Sequence, residues 1–151
     1  MLPLQRDFYN ANLRYAKERT VVIISDAMRY EVGQELFARM QDDPKCSAQL
    51  NVQLGVLPSY TRLGMAALLP HRTLEMTDDF QVLVDGTLCD TLAGRQQVLQ
   101  SYVPDSVCIQ FDVIKSMKVA DLRDVLTKRQ VIYVYHNQID ARGDKPNTED
   151  E

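Results

Sequence analysis

The run Val21-Val22-Ile23-Ile24 passes directly into Ser25-Asp26 and then into a stretch where Val32, Leu36 and Met40 recur about one helical turn apart. The β-branched run predicts a buried parallel strand over residues 20–25, and the spacing after it predicts an amphipathic helix over residues 27–40. Together they form a βα unit with an acid at its junction. In an open α/β sheet, ligands gather outside the carboxyl ends of the strands, so Asp26 is a candidate site residue. The chain does something similar again at Val131-Ile132-Tyr133-Val134-Tyr135, which leads to His136, Asp140 and Asp144.

Between these two units the pattern predicts further alternation. Leu4, Phe8 and Tyr15, with Ala11 between them, suggest a leading amphipathic helix over residues 4–17. That divides the chain into a leading segment, 1–18, and an α/β domain, 19–151. Leu50, Val52, Leu54 and Val56 alternate as a half-buried strand over 48–57, which Pro58 breaks. A short helix over 61–69 follows, stopped by Pro70, and Ser59 or Thr61 is placed to cap it. Strands are expected over 80–85 and 107–111 and helices over 91–102 and about 119–128, before the last strand at 131–135. The β-then-α order favours a mainly parallel sheet with helices on both faces.

Composition narrows the function. A chain of 151 residues with 45% hydrophobic content is sized for one domain, and such a domain buries roughly 68–70% of its unfolded surface without needing disulfides. The formal charge of -4, with bases scattered among acids, lacks the basic stripe that phosphate-backbone binding wants. Cys46, Cys89 and Cys108 include no Cys-x-x-Cys pair and read as small hydrophobes in a reducing compartment. No apolar stretch approaches the ~20 residues that span a bilayer, and the N-terminus lacks a signal-peptide layout. A cytoplasmic location is the default expectation. After Asp144 no closing element is expected, which suits either a piece of a longer protein or a frayed terminus.

Each polar candidate has two readings. Asp26 is suited to hold a hard divalent cation, and equally suited to cap the helix after it. Thr61, at a helix start, stands where an anion is favoured; its hydroxyl is a nucleophile if activated, or simply a cap. Asp140 and Asp144 flank Ala141-Arg142-Gly143 and could share a cation or form an Asx-type turn. His136 could ligate metal, contact substrate, or be hydrogen-bonded at the rim of the core. No Gly-x-Gly-x-x-Gly, Walker A, Gly-x-Ser-x-Gly or His-Glu-x-x-His motif is present.

Four stretches taken together carry a resemblance: VVIISDAMRYEV at 21–32, LPSYTRLGMAALLP at 57–70, VLVDG at 82–86 and VIYVYHNQIDARGDK at 131–145. With them the chain resembles the PglZ domain family of bacterial phage defence (BREX/Pgl-type systems), within the alkaline phosphatase superfamily. The resemblance implies an alkaline-phosphatase-like α/β fold, truncated at the C-terminus, and a metal-dependent phosphatase or phosphodiesterase acting on a phosphate ester. It implies Asp26, Asp140 and Asp144 as metal ligands, Thr61 as nucleophile, and His136 and Arg29 as substrate-binding residues. Zn, Mn or Mg would be the ion. Asp144 stands where the superfamily's Asp-x-x-Gly-His has His, which favours the harder Mg or Mn. The superfamily's later Asp-His pair lies beyond this chain, so a piece with the ion absent is expected to be inactive. The alternative is a non-catalytic module that assembles with other components of a defence complex.

Overall fold

The computed structural model describes residues 1–143; Asp144 and the acidic tail lie outside them. Three strands form a parallel sheet in the order β1-β6-β5: β1 (Thr20–Ser25), β5 (Ser106–Gln110) and β6 (Val131–His136). β6 is central and all but its last residue are buried. Its register pairs Ser25 with His136 on β1, and Gln110 with Tyr135 on β5.

The helices cover both faces of this sheet. On one face, α3 (Thr61–Ala67) and α4 (Leu92–Tyr102) bring Leu63, Ala66, Val98 and Leu99 against Val22, Cys108, Tyr133 and Tyr135. On the other, α5 (Phe111–Ser116) and α6 (Val119–Thr127) bring Phe111, Ile114, Val125 and Leu126 onto Ile109, Ile132 and Val134. This is the expected α/β class. Thr91 caps α4, its side chain accepting from the Gly94 N–H at 3.2 Å. Gly94 itself is dictated by a close approach, since a Cβ there would lie 1.9 Å from the Leu88 carbonyl oxygen.

Several elements differ from the expectation. The strand predicted over 80–85 belongs to a second, antiparallel sheet, β2 (Leu74–Met76), β3 (Val82–Val84) and β4 (Thr87–Leu88), which a single parallel sheet did not anticipate. The alternation over 48–57 forms no strand. Its one sheet-like contact is an isolated bridge from Leu54 to Leu4, and Leu50, Val52 and Leu54 are exposed, so a period of two found no neighbouring strand to pair with. The leading helix is shorter than 4–17: a 3-10 turn (Gln5–Asp7) precedes α1 (Phe8–Asn12), and Phe8 and Tyr9 pack on the main core.

Two buried cysteines behave as predicted. Burial pushes the Cys89 thiol up to about 11 and the Cys108 thiol up to about 12, so both stay protonated at neutral pH. Cys46 departs from that reading and is exposed. Near the buried pair, Arg95 is 6% exposed, its guanidinium 4.4 Å from the centre of the Tyr135 ring. Its Nη1 donates to the Cys89 carbonyl at 3.4 Å, while Nε has no hydrogen-bond partner among the described residues. A cation–π contact is therefore its main compensation.

Asp85 locks the small sheet to α4. It holds a left-handed φ of 49°, and its carboxylate accepts from the Arg72 and Thr73 N–H groups at 2.9 and 2.8 Å and from the Tyr102 hydroxyl. Burial raises its pKa, but the hydrogen bonds from Tyr102, Thr73 and Arg72 outweigh this and hold the carboxyl below its usual range. A depressed folded pKa means that this stabilisation is present above the unfolded value near 3.8 and is lost as the pH falls through the folded one. Asp85→Asn keeps a residue that tolerates left-handed φ. The variant should be less stable than wild type at pH 7, with the gap closing below about pH 4. Thermal melts of both proteins across that range check it, and a gap independent of pH would refute the carboxylate's role.

Candidate active site

β1 ends at Ser25, and the chain turns sharply: Asp26 donates its N–H to the His136 carbonyl at 3.0 Å, and Ala27 takes a left-handed φ of 60°. That conformation is uncommon for a residue with a Cβ and costs of order 1 kcal/mol, the kind of local strain that gathers at functional sites. The turn is closed by the Ala27 N–H donating to Asp26 Oδ1 at 3.0 Å. α2 (Tyr30–Gln41) begins only afterwards, with Arg29 in the N-cap place. Asp26 therefore does not cap that helix, and the expected start at residue 27 is corrected to Tyr30.

A second segment reaches the same place. After Pro58 the chain enters α3 at Thr61, with Tyr60 in the N-cap place and no side-chain cap. Neither Ser59 nor Thr61 caps the helix, and the Thr61 hydroxyl has no hydrogen-bond partner among the described residues. Ser25, Asp26, Ser59, Tyr60 and Thr61 all line one cleft of about 490 Å³, with Val56 and Met65 among its apolar walls. Asp26 and Thr61 thus share a cleft at the carboxyl end of the parallel sheet, although 35 positions separate them in the chain.

Of the remaining candidates, Arg29, His136 and Asp140 are not among the residues that line this cleft. His136 is half-buried beside β1's tip. Its Nδ1 lies 2.9 Å from Ser25 Oγ, and the Phe111 ring stands edge-on with its centroid at 4.9 Å. Asp140 lies on α7 (Gln138–Gly143), one turn after β6. The expected loop there begins as a short helix. Arg29 is exposed at the start of α2. Asp144 falls outside the described residues. Among the described residues no group of three His, Cys, Asp or Glu side chains comes together to hold a metal ion. Asp26 with Thr61 is thus short of a complete donor set.

Sequence reasoning missed the Ser25–His136 hydrogen bond, although its signal was present: both residues terminate apolar strands, and parallel pairing in register makes the two ends neighbours. It also missed the ion pair between Arg62 and Asp90, 3.7 Å apart, just beyond Thr61. That pairing joins α3 to the segment after β4 and follows only from the tertiary fold. Among the described residues, no helix is long and apolar enough to cross a membrane.

A parallel sheet with helices on both faces and a hydroxyl and a carboxylate in a cleft at its strand tips defines an α/β domain with a candidate site at the carboxyl end of its sheet. Residues 7–151 match the family model described as the BREX system PglZ alkaline phosphatase-like domain. The chain belongs to the PglZ family, the domain of BREX/Pgl phage-defence proteins. It is 39% identical over 153 residues to the alkaline phosphatase-like protein PglZ of Bacillus cereus (strain H3081.97), and 38% identical over 156 residues to the alkaline phosphatase-like protein BrxZ of Escherichia coli O9:H4 (strain HS). Each comparison covers 99% of this chain but 18% of the relative. No solved structure matches the chain significantly.

Proposed function

We propose that the protein carrying this PglZ domain is a phosphoryl-transfer hydrolase, a phosphomonoesterase or phosphodiesterase, with Thr61 as nucleophile. The observation that carries the reading is the convergence of Thr61 and Asp26 on one cleft while neither is spent on capping a helix. Thr61 Oγ attacks phosphorus in line with the leaving oxygen, which departs as an alcohol by taking a proton from solvent; water then cleaves the phosphothreonine ester, releasing phosphate from a monoester substrate or a phosphomonoester from a diester and restoring the hydroxyl. The hydroxyl proton leaves to a base or to solvent as the O–P bond forms. Arg29 and His136 are the proposed contacts to substrate.

Likeness to alkaline phosphatases suggests a divalent ion, Zn, Mn or Mg, with Asp26, Asp140 and Asp144 as its proposed ligands. The domain's place in BREX/Pgl proteins further suggests a defence complex as its setting, inside the cytoplasm.

The test is made on the protein at the full length its gene encodes. Wild type should hydrolyse a chromogenic phosphodiester or phosphomonoester when supplied with Mg, Mn or Zn, and the ion should raise its melting temperature. Asp26→Asn should weaken that ion's binding by about 10–100-fold or more, since even supporting residues of metal sites cost that much. Absence of turnover together with absence of any ion-dependent stabilisation would leave the assembly-module reading in its place. Unchanged ion affinity in Asp26→Asn would remove Asp26 as a ligand.

A further inference from the structure

A second cleft, of about 770 Å³, shares Gln5, Gly55 and Val56 with the first but is lined by neither Asp26 nor Thr61. Its volume falls in the range of roughly 300–1,000 Å³ usual for small-molecule sites. Hydrogen bonds between the leading segment and residues 54–56 set its walls. The Gln5 N–H donates to the Leu54 carbonyl and the Leu54 N–H to the Pro3 carbonyl, both at 2.8 Å, and the Val56 N–H donates to Gln5 Oε1 at 3.0 Å. A cleft formed in this way needs little reordering to accept a ligand.

Two permanent positive charges line it. Arg6 lies on the 3-10 turn and Arg72 just before β2, so distant parts of the chain bring their side chains to one cleft. Neither guanidinium has a hydrogen-bond or ion-pair partner among the described residues, where the ion pairs use Arg39, Arg62 and Lys128 instead. His71 stands beside them. Its Nδ1 lies 2.7 Å from the Leu69 carbonyl oxygen, which can only accept, so Nδ1 carries the proton and Nε2 is the ring atom left for a ligand. Asp7 is the single acid of the lining. In a chain of net charge -4 this is a local excess of positive charge. Much of the remaining lining is apolar: Leu54 and Leu57 are 49% and 87% exposed there, surface that is unfavourable to leave against water.

We propose that this second cleft binds a small phosphorylated organic molecule, with its phosphate on Arg6 and Arg72 and its apolar part against Leu54 and Leu57. The planar fork of a guanidinium matches the oxygens of a phosphate. Two such groups suit a phosphate monoester, which carries close to two negative charges at neutral pH, better than a carboxylate with one. The exposed leucines call for an apolar body on the same ligand, which bare phosphate lacks. This inference concerns a cleft without Asp26 or Thr61 and stands whether or not the first cleft is catalytic.

The experiment uses the protein at the full length its gene encodes, free of divalent ions, and phenylphosphonate, whose P–C bond resists hydrolysis. Titration calorimetry should show saturable binding with a Kd below about 1 mM. Inorganic phosphate, without the ring, and phenylacetate, with one charge, should each bind at least about tenfold more weakly. Arg6→Met combined with Arg72→Met should weaken phenylphosphonate at least about tenfold, since charge-assisted hydrogen bonds are lost, whereas Thr61→Ala should leave its affinity unchanged. Both arginines are exposed, so the melting temperature should stay at the wild-type value; the two single variants are measured as well, so that misfolding of the double one does not decide the matter. Absence of saturable binding by wild type up to about 5 mM would overturn the proposal without any variant. Undiminished binding by the folded arginine variants would place the ligand elsewhere and overturn it too. Equal affinity for inorganic phosphate or for phenylacetate would overturn the assigned ligand class.

Discussion

Thr61→Ala in the full-length gene product is expected to lower turnover of a chromogenic phosphate ester by at least about a thousandfold, since loss of a nucleophile removes a step that the rest of a site cannot replace. The same change should leave stability within roughly 0.5 kcal/mol of wild type, the range for exposed positions outside special features. The separation follows from the structure: Thr61 is exposed in the cleft, does not cap α3, and has no hydrogen-bond partner among the described residues. Thr61→Ser keeps a hydroxyl on Cβ, losing only the methyl, and should retain a measurable share of the activity. Phosphate-ester release by Thr61→Ala at the wild-type rate would end the nucleophile assignment. A large loss of stability without a hydroxyl-specific effect would show Thr61 to be structural.

How much of this was legible beforehand depends on what each signal responds to. The strand over 20–25 was readable to the residue, because five consecutive β-branched residues fit little else and both its ends are marked by polar groups. The last strand and α4 were each read to within one residue, at 131–135 and 91–102 against Val131–His136 and Leu92–Tyr102. The 48–57 segment failed because alternation specifies only which side chains share a face; pairing needs a neighbouring strand, and among the described residues that stretch makes a single isolated bridge, to Leu4. The start of α2 failed for a different reason. Asp26 is a good capping residue, yet its own carboxylate closes a turn with Ala27 in the left-handed region, a conformation nothing in an alanine's identity announces.

The site divides in the same way. Asp26 and Thr61 were found separately, from strand-tip and helix-start positions, and the resemblance to the PglZ family is what joined them; the fold then placed both on one cleft. Ser25 was passed over because a serine beside an aspartate carries no spacing signal of its own. Its contact to His136 depends on the register between strands more than a hundred residues apart in sequence.

The core behind that cleft rests most heavily on Tyr133, and its removal is expected to be the costliest single change to the fold. Tyr133 is fully buried at the middle of the central strand β6, and its hydroxyl donates to the Leu68 carbonyl at 2.7 Å. Leu68 is the C-cap of α3, so one side chain ties the sheet to the far end of the helix that begins at Thr61. Tyr133→Ala should destabilise the domain by about 3–5 kcal/mol, the usual cost of deleting a large aromatic from a packed core. Against a typical total of about 5–15 kcal/mol, that leaves a substantial unfolded population at mild denaturant. Tyr133→Phe isolates the hydrogen bond: the ring still fills its place, but the Leu68 carbonyl loses its donor, for roughly 1–3 kcal/mol. Urea titrations of the three proteins, compared at equal slope, give both differences. A Tyr133→Ala cost below about 1 kcal/mol, no more than many surface changes, would contradict the central, close-packed position of this ring. If Phe proved as costly as Ala, the tie to α3 rather than the packing would hold the two layers together.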